Sequence, residues 1–142
     1  MRAVNELLTS GLCDRFPELN FVLVESGAGW LRHSIESLDW HWIATGRRAR
    51  FTDRSLPSES FYRQVYATFS YERESVLHAL PDLQDNVMFS TDFPHPASLA
   101  PGPCCPTSES PVEVIERFDE VPFELAEKAL HQNAARVYHL AV

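Results

Sequence analysis

The run Asn86-Val87-Met88-Phe89-Ser90 stops abruptly at Thr91-Asp92-Phe93-Pro94-His95. Its apolar centre predicts a short buried strand, and the chain beyond it turns at Pro94. The break leaves a carboxylate, Asp92, and an imidazole, His95, three residues apart, just past the carboxyl end of that strand. In barrels and open α/β sheets this is the side on which chemistry is done.

Two further strand-helix units precede it. Residues Ala3 to Leu12 carry Val4, Leu7, Leu8 and Leu12 at helical spacing. After Pro17 comes Asn20-Phe21-Val22-Leu23-Val24-Glu25, a nearly continuous apolar run that reads as a strand buried on both faces. Ser26-Gly27-Ala28-Gly29 turns the chain into a helix from Trp30 to Ala44. Phe51 to Ser60 reads as a polar loop around Pro57. Gln64 to Phe69 alternates and is rich in strand formers, so a strand is expected. A helix over Glu72–Leu80 follows, with Ser70 as its expected cap. After the strand Asn86–Ser90, prolines between Pro94 and Pro106 forbid regular structure as far as Ser110. Helices are then expected over Pro111–Phe118, Phe123–His131 and Ala134–Leu140, the last opened by Asn133. The order α-β-α-β-α-β-ααα argues an α/β fold with parallel strands joined by right-handed crossovers. Three such strands leave two hydrophobic sheet edges, which proteins normally pair or cover.

The length of 142 residues suits one domain, and with 44% hydrophobic and 23% charged residues the chain can bury a core. The net charge of −8 and the lack of a basic stripe argue against nucleic-acid binding; the cluster Arg47-Arg48-Ala49-Arg50 reads as a solvated loop. No apolar run approaches the ~20 residues of a membrane span, and the N-terminus does not resemble a signal peptide, so a cytosolic, cytoplasmic location is expected. Three cysteines, Cys13 alone and Cys104-Cys105 adjacent, make neither a disulfide framework nor a C-x-x-C zinc pair, and read as reduced thiols. No G-x-S-x-G or Gly-rich phosphate loop occurs.

Four segments together resemble the C-terminal part of the amidohydrolase-related family, the metal-dependent hydrolases and decarboxylases that include aminocarboxymuconate-semialdehyde decarboxylase. They are Gly11–Leu31, Leu56–Phe69, the stretch Asn86–His95, and Ala129–Leu140, in the family's order and spanning nearly the whole chain. The resemblance implies a partial (β/α)8 TIM barrel over residues 1–142, whose three parallel strands are the family's sixth, seventh and eighth. It also implies a divalent metal, usually zinc, that acidifies a bound water or polarises a small-molecule substrate.

On this resemblance Asp92 falls on the strand-eight aspartate, a metal ligand and catalytic proton acceptor; read from the residues alone, it equally serves the turn before Pro94. Glu25 falls where the decarboxylases place a strand-six histidine. It becomes an oxygen ligand for the metal or a substrate contact, a harder donor than imidazole, or else a cap of the Gly27-Ala28-Gly29 turn. His95 matches a histidine following Asp-x-Pro and is expected to orient substrate or tune Asp92, unless it is merely solvated. Trp30 matches a G-x-G-W corner, where its ring either packs the helix or lines the substrate pocket. The remaining histidines lie on helices and argue for no site.

The chain departs from the family pattern in lacking the first five strands, and with them an H-x-H and a strand-five histidine. Three readings follow. The chain is one piece of a hydrolase or carboxy-lyase acting on a small carboxylated or aromatic substrate, completed by an N-terminal half-barrel. Alternatively it is a non-catalytic remnant or interaction module that associates through its sheet edges. In the third, two copies form a homo-oligomer and build a site from paired Asp92 and Glu25.

Overall fold

The computed structural model describes residues 2–95, 98–99 and 110–141. The chain divides into two compact units, Met1–Val22 with Trp30–Tyr66, and Leu23–Gly29 with Ala67–Val142. Three strands, β1 (Phe21–Leu23), β2 (Val65–Phe69) and β3 (Val87–Phe89), form a parallel sheet in the order β1-β2-β3. The architecture is therefore α/β, as expected. Among the described residues no helix is long and apolar enough to cross a membrane.

The first unit holds α1 (Arg2–Thr9), α2 (Leu12–Arg15), α3 (Leu31–Ala44), α4 (Arg47–Arg50) and α5 (Pro57–Gln64). Val4, Leu8, Cys13, Leu31, Ile35, Trp42 and Phe61 are buried in it. Burial pushes the Cys13 thiol pKa up, so this cysteine stays a neutral, inert thiol. Helix α5 replaces the expected polar loop. Pro57 takes its first turn, and the Leu56 N–H donates to the Glu59 carboxylate at 2.7 Å, which satisfies a donor the helix start leaves free. The arginine cluster is also helical, as α4, and stays exposed, with Arg47 over the Trp42 ring at 5.7 Å.

Strand β1 is shorter and more open than its sequence suggests. Phe21, Val22 and Leu23 are half-buried and Val24 is exposed. β1 stands at the edge of the sheet, beside β2 alone. Strand β2, the central one, is buried at every residue.

The second unit holds β3 and the helices α6 (Glu74–Leu83), α7 (Pro111–Glu116), α8 (Phe123–Glu127) and α9 (Asn133–Tyr138). Strands β2 and β3 pair in parallel with Ala67, Thr68 and Phe69 opposite Val87, Met88 and Phe89. The Phe69 ring stacks between Phe89 and Phe118, with centroids 5.8 Å from each. Helix α6 has no side-chain cap; the Ser70 N–H instead donates to the Glu72 carboxylate at 3.0 Å. It also runs through Pro81 to Leu83, because burial of Leu80 and Leu83 offsets the hydrogen bond that proline removes.

The expected break at Asn133 is absent. A π-helical turn, Lys128–Gln132, joins α8 directly to α9, so Asn133 lies inside helical structure. Its side chain does something else. The amide nitrogen donates to the carbonyls of Gln84 at 2.7 Å and Val87 at 2.8 Å, and the residue is 1% exposed. The closing helix is thereby fastened to the start of β3. Of the Pro-rich stretch before Ser110, Thr91–His95 and Ser98–Leu99 are described; Cys104 and Cys105 lie outside the described residues.

Candidate functional site

Three turns leave the carboxyl ends of the strands. Within the second unit they line one cleft of about 270 Å³. The turn after β1 brings Glu25, Ser26 and Gly27, that after β2 brings Ser70, Tyr71 and Glu72, and that after β3 brings Thr91, Asp92 and His95. Thr68 and Leu99 complete the lining.

Glu25 and Asp92 both have left-handed backbones, with φ of 55° and 60°. Such a conformation costs an L-residue roughly 1–2 kcal/mol, with aspartate among the more tolerant types. Strain of this kind persists only where the surroundings fix it, and it concentrates at functional sites. The fixing groups are visible. The Glu25 N–H donates to the Thr68 hydroxyl oxygen at 2.9 Å. The Asp92 N–H reaches Ser90 Oγ at 3.4 Å, and its carbonyl accepts the His95 N–H at 2.9 Å, closing a turn across the cis Phe93–Pro94 bond.

That turn folds the His95 imidazole back onto Asp92, with Nδ1 3.1 Å from Oδ2. On its other side Asp92 meets the Glu25 carboxyl. The Glu25 pKa is raised, first by the hydrogen bond it shares with Asp92, then by the negative charge of Asp92, with His95 acting in the opposite sense. A like charge beside a carboxyl disfavours its ionised form, so the neutral form of Glu25 is favoured next to Asp92. Asp92 is mostly shielded, with a side chain 22% exposed, while that of His95 is 62% exposed. The Asp92 carboxylate is sheltered and the imidazole faces water.

Glu72 holds the cleft's frame. One of its oxygens accepts the Ala28 N–H at 3.2 Å and the other the Ser70 N–H at 3.0 Å. Gly27, at φ 67°, gives it room, since a Cβ there would collide with the Glu72 carboxylate. The carboxylate thus ties the turn carrying Glu25 to the turn after β2.

The structure therefore brings together Asp92, Glu25 and His95. Trp30 stands in the first unit, half-buried at the start of α3, and is not among the residues lining the cleft. Thr68, Ser70, Tyr71 and Glu72 were not singled out by sequence reasoning. The available signal was their place at the end of a strand, and only Ser70 was noticed, as a cap it does not form.

A catalytic zinc takes three protein ligands or more. Among the described residues no group of three or more histidine, cysteine, aspartate or glutamate side chains is placed to hold a metal ion. The donors present do not by themselves fit such a centre.

The amidohydrolase family model matches residues 1–140. Among solved structures, an amidohydrolase from Mycobacterium avium subsp. paratuberculosis K-10 superposes with a TM-score of 0.72 at 22% identity, over 94% of this chain and 32% of that one. The 5-carboxyvanillate decarboxylase LigW from Sphingomonas paucimobilis superposes with a TM-score of 0.70 at 25% identity, over 96% of this chain and 38% of its own. The chain thus spans about a third of the length of these structures. No curated protein sequence matches it.

Proposed function

Since the chain belongs to the amidohydrolase family, we propose that it carries the carboxylate side of a hydrolase or carboxy-lyase active site. Its three strands then correspond to the last three of an eight-stranded barrel. The observation that carries this reading is the pair of left-handed carboxylates, Glu25 and Asp92, placed at the carboxyl ends of two parallel strands and lining one cleft with His95.

Asp92 is the proton acceptor. In a hydrolytic step it takes a proton from the attacking water. The water oxygen bonds to the substrate carbonyl carbon, the carbon–nitrogen or carbon–oxygen bond breaks, and the proton passes to the leaving group. In a carboxy-lyase the carbon–carbon bond to the carboxylate breaks instead, carbon dioxide leaves, and a proton from the Glu25 carboxyl goes to the ring carbon that keeps the electron pair. Glu25 holds the neighbouring proton, and His95 fixes the orientation of the Asp92 carboxylate from the solvent side.

A divalent metal such as zinc would need donors beyond Asp92 and Glu25, from barrel elements outside these three strands. The exposed side chains of Val24, Tyr71 and Phe93 at this end of the second unit support a covering segment there. A small-molecule substrate enters from the same end.

Turnover tests this. Small amides, lactones and aromatic carboxylates are offered to the chain with a divalent metal, alone and with an N-terminal barrel segment. By itself the chain stays well below the ~10 s⁻¹ of an ordinary enzyme; completed, it turns over, and Asp92→Asn abolishes activity without changing the circular dichroism. Activity that survives Asp92→Asn contradicts the reading.

A further inference from the structure

A larger opening than the strand-end cleft lies within the first unit, a groove of about 580 Å³. Helix α1 gives it positions 2, 5, 6 and 9, and α3 gives it positions 38, 41, 42 and 45. Each set follows the i, i+3, i+4, i+7 spacing of one helix face. Arg47, the first residue of α4, completes the lining. Small-molecule sites occupy roughly 300–1,000 Å³, and the groove falls in that range. Most polar groups on the two faces are already met. The Thr9 and Thr45 hydroxyls donate to carbonyls of their own helices, those of Asn5 at 2.7 Å and His41 at 2.6 Å. Arg2 pairs with Glu6 at 2.8 Å. Two buried atoms are not met. The Trp42 indole N–H, on a residue 2% exposed, and the Asn5 side-chain oxygen have no hydrogen-bond partner among the described residues. An unmet buried donor or acceptor is costly, so both favour a ligand that supplies the missing bonds.

Charge selects the ligand. Arg48 pairs with Glu59 at 3.8 Å, whereas Arg47 pairs with no carboxylate among the described residues and lies 5.7 Å from the centroid of the Trp42 ring. A cation–π contact at an exposed site is weak, so the guanidinium can turn from the ring to an anion. A carboxylate seated there accepts from Arg47 and from the Trp42 N–H together, and the bond to the guanidinium is charge-assisted. A hydroxyl on the adjacent carbon gives the Asn5 oxygen the donor it lacks. Leu38 and the Trp42 ring supply apolar wall for the remainder of the molecule. We propose that the groove lined by α1 and α3 is a binding site for a small 2-hydroxy carboxylate, held by Arg47, Trp42 and Asn5. This site shares no residue with the strand-end cleft.

Mandelate is the probe, titrated into the full ¹⁵N-labelled chain while the indole N–H signals of Trp30, Trp40 and Trp42 are followed. Trp30→Phe and Trp40→Phe assign the signals and leave Trp42 in place. The Trp42 signal is expected to move and saturate with a Kd of about 1 mM, while the other two stay. Methyl mandelate, which lacks the charge, binds about tenfold more weakly, and phenylacetate, which lacks the hydroxyl, about threefold. Arg47→Gln, at an exposed position, weakens mandelate about tenfold, with the same spectrum checking the fold. A Trp42 signal that mandelate does not move at about 20 mM overturns the proposal. So does methyl mandelate binding as tightly as mandelate, or an unchanged affinity in Arg47→Gln, since either removes the anion from the ligand class. Phenylacetate binding as tightly as mandelate removes the hydroxyl and overturns the proposal as stated. Equal shifts at all three indoles mean general surface association and overturn it likewise.

Discussion

The two ends of β3 are built on opposite terms. At its start, every side chain is committed to holding the fold. Asn133 is buried and spends its amide on two backbone carbonyls, the Asn86 N–H bonds back to the Leu83 carbonyl at 2.8 Å, and Asp85 is met by Lys128 and Arg136. At its far end, past Phe89, the chain holds a left-handed aspartate, a glutamate carboxyl beside it whose pKa it raises, and a histidine turned to water. The first end has satisfied groups and relaxed backbone. The second has strained backbone and carboxyls crowded together. In barrel folds the same division separates the stabilising face from the catalytic one. In β3 the division lies within a single strand and its two turns.

The largest effect that sharpens this contrast is expected at the quiet end. Asn133→Ala leaves the Gln84 and Val87 carbonyls buried without their donor and costs about 3 kcal/mol. Urea unfolding reads it directly, and a loss below ~1 kcal/mol would mean the helix is held by packing alone.

Gly27→Ala comes next, at about 2 kcal/mol, because a left-handed alanine is strained and its methyl displaces the Glu72 carboxylate. Here the loss of ordered Ala28 and Ser70 amides, seen as faster hydrogen exchange, separates displacement of the clamp from simple backbone strain.

At the strained end the sign reverses. Glu25→Gly removes an unfavourable side chain from a left-handed position and leaves the urea midpoint unchanged or slightly raised. A clear drop would show that the Glu25 side chain holds the fold, and the contrast between the two ends would fail.

The smallest effects lie in the pH dependence. Glu25 has a raised pKa, so the fold favours its neutral form. That contribution is complete below its ordinary value of 4.5 and disappears as pH climbs through the raised value. Glu113 behaves oppositely. The Ser110 N–H donates to its carboxylate at 2.7 Å and lowers its pKa, so its contribution is present above 4.5 and is lost as pH falls through the lowered value. Unfolding midpoints of Glu25→Gln and Glu113→Gln against the unmodified chain should therefore diverge in opposite directions across the acid range. Parallel curves would contradict the assignment.

The α/β alternation was legible because strand and helix alike are written in local apolar spacing. The central strand and its neighbour β3 were found near their true bounds. Strand β1 was read as too long and too buried, since a four-residue apolar run does not say what covers its two faces. Helix α5 was read as a loop because its polar composition outweighed Pro57 and Glu59, whose pairing at a helix start is a recognisable signal. Asn133 was taken for a cap because its partner Val87 lies 46 residues away, beyond any local pattern.

The same holds in the cleft. Asp92, His95 and Glu25 stood out because each follows a hydrophobic run that ends in a turn. Thr68 and Glu72 did not, because what they hold lies 43 and 44 residues away. Local chemistry marks the groups exposed at a strand end; the groups that position them become visible only when the turns are brought together.

The measurement that bears most directly on this account is a carbon-13 NMR titration of the side-chain carboxyls of Glu25 and Asp92, in the unmodified chain and in Asp92→Asn. The account predicts that Glu25 titrates above an ordinary glutamate and returns toward it when Asp92 is replaced. A Glu25 that titrates at the ordinary value in both proteins would mean that the two carboxyls do not interact, and would contradict the account of the cleft.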